Sequence, residues 1–82
     1  MIFLIEYNRR KGSIVTFRAF GGSERGEAEK SRLAIEMERN REGVDHEVVL
    51  LEAESRDALH RTHWRYFVGL EELLEAGSPR VR

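Results

Sequence analysis

The chain has no cysteine, one proline and no apolar run long enough to cross a membrane. Without cysteine there are no disulfides, thiolate metal sites or thiol nucleophiles, and nothing points to an oxidising compartment. The only proline is Pro79, so proline shapes none of the chain before it. The opening residues Met1, Ile2, Phe3, Leu4 and Ile5 lack the basic n-region, the longer apolar h-region and the small-residue cleavage site of a secretory leader. No stretch reaches the roughly 18 apolar residues of a membrane span, and the expectation is a cytoplasmic protein with no membrane partner. A dominant charge sign is also missing. The 14 Lys and Arg against 15 Asp and Glu leave a net charge of −1, so no global field selects nucleic acid or anionic lipid. Lysine occurs only at Lys11 and Lys30.

At 82 residues the chain has room for one domain, and domains of this size bury only a modest fraction of their surface. Its 40% hydrophobic content argues for a folded globule, and its 35% charged content for a heavily solvated exterior. Two segments stand out because they are apolar at every position: Ile2, Phe3, Leu4 and Ile5, and Val48, Val49, Leu50 and Leu51. A strand with one wet face alternates apolar and polar residues, so an unbroken run implies a sheet covered on both faces.

Residues 2–7 and 13–20 are rich in β-branched and aromatic side chains and flank Asn8, Arg9, Arg10, Lys11 and Gly12. That pattern predicts a hairpin in which Gly12 supplies the positive φ of the turn. In the second strand, alternation groups Val15, Phe17 and Ala19 on one face and Ile14, Thr16, Arg18 and Phe20 on the other. Gly21 and Gly22 end it, Ser23 is a suitable N-cap, and a helix is expected from about Glu24 to Gly43. The expected apolar stripe of this helix is narrow, with Leu33 and Met37 together and Ala34 beside them, while Ala28 and Ile35 point the other way.

The third strand spans about His46 to Glu52. Ser55 can cap a second helix, with Asp57 favoured in its first turn. Leu59, His63, Tyr66, Phe67, Leu70, Leu73 and Leu74 recur at spacings of three and four, so this helix is read as the principal core element, bending near Gly69 and ending at Gly77. The expected organisation is a single ββαβα domain over residues 1–77 with a loose tail at 78–82. This is an α+β (two- or three-layer α/β) fold with a three-stranded mixed sheet in the order 2-1-3. The first strand is central because it and the third have two apolar faces and the second does not.

Candidate sites are few. His60 and His63 lie three apart on a helix and His46 opens a strand, but the helical zinc signature of histidines four apart with an adjacent Glu is missing. No metal or other cofactor is expected. Arg9, Arg10 and Lys11 form a basic hairpin tip that Arg18, Arg61 and Arg65 extend if the fold brings them near, and Tyr7, Trp64 and Tyr66 supply rings for stacking on bases. Trp64 and Val68 fall away from the main stripe of the second helix, and Ile35 falls on the far side of the first; these three are the candidate protein interface.

Glu6, Glu27 or Glu29, and Glu54 sit mid-strand, at a helix start and after an apolar strand. This placement resembles the carboxylate set of ribonuclease H-like nucleases, and the resemblance implies metal-dependent nuclease chemistry at those residues. The chain departs from that family in having Glu where Asp is usual and two strands, rather than three, before the first helix. The leading expectation is a non-catalytic protein-interaction module that forms a homodimer or binds another protein. The alternative is a nucleic-acid-binding module using the basic hairpin tip.

Overall fold

The computed structural model describes residues 1–67. In chain order it contains β1 (Ile2–Asn8), β2 (Ser13–Phe20), α1 (Arg25–Glu42), β3 (His46–Glu52) and α2 (Arg56–Thr62), with short 3-10 turns at Gly22–Glu24 and Trp64–Tyr66. The sheet order is β2-β1-β3. The order is the expected one, but the sheet is antiparallel and not mixed: β1 pairs antiparallel with both β2 and β3, and β2 and β3, which run in the same direction, are not neighbours. Val68, Gly69, Leu70, Leu73, Leu74, Gly77 and the tail at 78–82 lie outside the described residues.

The hairpin closes as its residues dictate. Gly12 adopts φ +65° and donates its backbone N–H to the Asn8 carbonyl at 2.7 Å, while the Asn8 side chain accepts from the Lys11 N–H at 3.1 Å. One feature of β2 departs from simple alternation. The pairing passes from Glu6↔Thr16 to Tyr7↔Ile14, which leaves Val15 as the extra residue of a β-bulge. The bulge turns Ile14 onto the face of Phe17 and leaves Val15 exposed.

The two helices cover opposite faces of the sheet. Ile2, Leu4, Phe20, Val48 and Leu50 pack beneath Ala28 and Ile35 of α1. Phe3, Ile5, Ile14, Phe17, Val49 and Leu51 pack beneath Leu59, Tyr66 and Phe67. The unbroken apolar runs are thus explained within one chain, with alternate side chains of β1 feeding two separate cores.

The rotation of α1 reverses the expected one. At about 100° per residue, Ala28, Ile35 and Arg39 lie within roughly 20° of a common line, and that line faces the sheet. Leu33 and Met37 fall on the far side and are 50% and 55% exposed. Ile35, expected outside, therefore faces the core. The physical reason is polar: Arg39 reaches a carboxylate buried in the sheet, described below, and turning the helix to bury Leu33 and Met37 would pull that arginine away. The start of α1 also differs. Ser23 is not the cap; the Glu24 carboxylate accepts the Gly21 N–H at 2.7 Å. The end is as expected, with Gly43 at φ +73° and the N–H groups of Gly43 and Val44 bonded to the carbonyls of Asn40 and Arg39.

Ser55 caps α2, accepting the Ala58 N–H at 3.1 Å. This helix is shorter than its periodicity predicts, because the chain leaves α-geometry at His63 (φ −129°, ψ 43°) and tightens into the 3-10 turn. The Thr62 hydroxyl donates back to the Ala58 carbonyl at 3.0 Å, a bond that weakens a helix end. The break brings Tyr66 and Phe67 together onto the sheet.

Candidate functional site: a buried carboxylate and the open edge of β3

Glu6 is the only acidic residue of β1 and its side chain is fully buried. In the central strand it shares the α1 face with Ile2 and Leu4, which places a carboxylate inside an apolar layer. It survives there because every oxygen has a partner. Oε1 accepts the Thr16 hydroxyl at 2.8 Å, and Oε2 accepts both Arg39 Nε and His46 Nδ1 at 2.6 Å. Burial pushes the carboxyl up, but the hydrogen bonds from Arg39, His46 and Thr16 and the guanidinium charge outweigh it, so Glu6 titrates below its ordinary value. The same pairing holds Arg39 above its ordinary value. With Glu6 ionised, His46 Nδ1 carries the hydrogen of that bond.

His46 and Arg39 reach one wall of an open groove of about 370 Å³ between the C-terminal half of α1 and β3, where Met37, Asn40, Val44 and Val48 also contribute. A carboxylate that orients an imidazole is a common element of proton transfer. Here the guanidinium of Arg39 already neutralises that carboxylate, and no hydroxyl or thiol lines the groove among the described residues. The arrangement pins α1, β1, β2 and β3 to one another.

A second polar cluster lies on the α2 face. Glu47 Oε2 accepts the Tyr66 hydroxyl at 2.5 Å and Arg65 Nη2 at 3.1 Å, and Arg9 Nε approaches Oε1 at 3.7 Å. Burial and the adjacent Glu47 carboxylate together push the Tyr66 hydroxyl up to about 12, against the opposing pull of Arg65 and Arg9. Tyr66 is thus held in its neutral form more strongly folded than unfolded. The expected consequence is loss of stability as pH rises from about 10 toward 12, with one tyrosine ionising late in an ultraviolet titration and the loss absent in Tyr66→Phe.

The basic candidates divide between the two faces. Arg9 and Arg65 do meet, but around Glu47, and Arg9 also bonds Asp45 at 3.0 Å. Arg18 lies on the α1 face, over the Phe20 ring and within 3.5 Å of the Ser31 hydroxyl. Arg10, Lys11 and Arg61 are exposed. Trp64 is 63% exposed, and Val68 lies outside the described residues. His60 stacks on Phe67 with ring centroids 3.8 Å apart. The nuclease-like carboxylates do not converge: Glu6 faces Val48 across the ladder, and Glu54 lies six residues further along, roughly 20 Å away at about 3.3 Å per residue. Among the described residues, no three His, Cys, Asp or Glu side chains are grouped to hold a metal ion.

Among the described residues, the least protected part of the sheet is the outer edge of β3. Met1 and Ala53 exchange two hydrogen bonds, Met1 N to Ala53 O at 3.0 Å and Ala53 N to Met1 O at 3.1 Å. The register between β1 and β3 then runs without a shift to Asn8↔His46. Alternation along an antiparallel ladder therefore turns the backbone groups of Glu47, Val49 and Leu51 toward β1 and those of His46, Val48, Leu50 and Glu52 outward. Among the described residues no strand meets that outward row. The bulge at Val15 and the charge of Arg18 blunt the opposite edge of the sheet, whereas β3 has neither a bulge nor a charge between Glu47 and Glu52. The signal of this open edge in the sequence is the absence of Lys, Pro or Gly within an apolar strand placed outermost.

No protein-family model, curated protein or solved structure matches the chain. Among the described residues, no helix is long and apolar enough to cross a membrane.

Proposed function

We propose that the chain is a non-catalytic protein-interaction module that docks partners along the outer edge of β3. The observation that carries this reading is the row of outward backbone groups at His46, Val48, Leu50 and Glu52 on an unbulged strand that is apolar from Val48 to Leu51. A strand with these properties recruits another strand through main-chain hydrogen bonds, with side chains on either face supplying selectivity. Exposed Met37 and Val44 border the same groove as Val48 and His46, so an added strand finds apolar cover beside the edge.

The substitution Leu50→Pro separates docking from folding. The Leu50 N–H points outward, so proline there removes a donor from the edge and none from the ladder with β1. Immobilised protein is expected to retain partner chains, of its own sequence or another, that a Leu50→Pro variant with an unchanged circular dichroism spectrum does not. Retention by neither protein, or equal retention by both, overturns the reading.

A further inference from the structure

We infer that the occupant of the β3 edge is a second copy of this chain, its β3 antiparallel to the first and centred on Val49, so that two three-stranded sheets join into one of six strands. The inference rests on the docking reading above and names the partner.

The register follows from three constraints. Residues directly opposite one another in an antiparallel pair share a face, and His46, Val48, Leu50 and Glu52 lie on the α1 side while Val49 and Leu51 lie on the α2 side. Only pairings that match even-numbered residues with even-numbered residues therefore keep both layers continuous. The outward hydrogen-bonding groups also belong to the even-numbered residues, so those same pairings satisfy the backbone.

Among them, one uses all seven residues of the strand. In it Val49 faces Val49 of the second copy at a non-hydrogen-bonded position, Val48 faces Leu50, and His46 faces Glu52. The two-fold axis repeats each pair, which puts an imidazole opposite a carboxylate at both ends of the ladder. Sliding the copies until Glu47 faces Glu47, or Glu52 faces Glu52, sets like charges directly opposite and is disfavoured. The strand is complementary to itself in this register, as a two-fold interface requires.

The surroundings fit the same axis. A two-fold axis through Val49, perpendicular to the sheet, sets both copies of α1 on one face of the joined sheet. Met37 leans over the β3 side, where it lines the groove with Val48, and Leu33 lies one turn away on the same stripe. Of the two side chains left outside by the Arg39–Glu6 pairing, Met37 borders the groove on the side of β3 that the second copy joins.

The test needs no substitution at first. Sedimentation of the 82-residue chain is expected to show a dimer that dissociates on dilution. The amides of Val48, Leu50 and Glu52 are expected to exchange with solvent about tenfold or more slower in the dimer than in the diluted monomer, while those of Val49 and Leu51, bonded to β1, stay slow in both. Because the protein has no cysteine, any disulfide formed by a single Val49→Cys variant joins that one position in two chains. Oxidation should link two chains through the axis, and Val15→Cys, on the other edge, should not.

Three outcomes overturn the inference. A monomer at high concentration whose Val48, Leu50 and Glu52 amides exchange freely removes the second copy, while capture of a different chain that Leu50→Pro abolishes would leave the docking reading standing. Concentration-independent protection of those amides in a monomer means that the edge is covered by the same chain, and it removes both readings. A dimer that neither cross-links through Val49→Cys nor protects those amides associates by another surface.

Discussion

Glu6→Gln is expected to lower the free energy of unfolding by about 1.5–3 kcal/mol, the range for losing a hydrogen bond to a charged group. The substitution preserves size and removes the charge. Three donors converge on the Glu6 carboxylate, from Thr16, Arg39 and His46. An amide offers one oxygen and turns an NH₂ group toward at least one of those donors, leaving it unsatisfied in a buried site. The loss is large against the roughly 5–15 kcal/mol that holds a typical domain together.

The same variant isolates a pH dependence. The folded carboxyl titrates below the unfolded value of about 4.5, so the unfolded state binds its proton first as pH falls. The stability that Glu6 contributes is therefore fully present above that value and is lost progressively as pH drops through it to the lower folded value. Urea titrations of wild type and Glu6→Gln across this acid range should show the difference between them shrinking as the pH falls. A difference that stays constant would mean that the carboxylate is not the ionised hub of the cluster.

Phe3→Ala is expected to cost about 3–5 kcal/mol, the range for removing a large aromatic from a close-packed core. Phe3 is fully buried, stacks on Phe17 with centroids 5.7 Å apart, and belongs to the layer completed by Leu59, Tyr66 and Phe67. Those last three lie on short elements, a seven-residue helix and one 3-10 turn, that have little stability alone. A hole beneath them removes the surface on which they dock. Chemical denaturation should show a midpoint shifted sharply down, and amide exchange should show residues 56–67 opening before the sheet does. Equal loss of protection in α1 would show that the two faces of the sheet fold as one unit.

Strand order, the position of Gly12 and the caps at Gly43 and Ser55 were legible in the sequence because each depends on local chemistry or on a count of apolar faces. The rotation of α1 was not. Hydrophobic periodicity favoured Leu33 and Met37, and it lost to one partly buried ion pair between residues 33 positions apart, Glu6 and Arg39. The face of Ile14 escapes simple alternation for a similar reason: a bulge at Val15 shifts alternation by one residue, and nothing local in Ser13, Ile14, Val15 and Thr16 announces it. Of the candidate site, Glu6 was visible as an acid inside an apolar strand. Its partners Thr16, Arg39 and His46 were not, since three separate elements deliver them.

The central position of β1 also matters to a chain still being made. Its partner β2 emerges at once, but β3 is complete only after residues 21–52 have been added, which takes about 2–6 seconds at roughly 5–20 residues per second. For that interval the newborn hairpin carries Ile2 and Leu4 on one side and Phe3 and Ile5 on the other, with neither helix in place and one edge of β1 unpaired. A two-stranded ribbon has little independent stability. The most apolar strand of the domain therefore meets its surroundings before the elements that will enclose it exist.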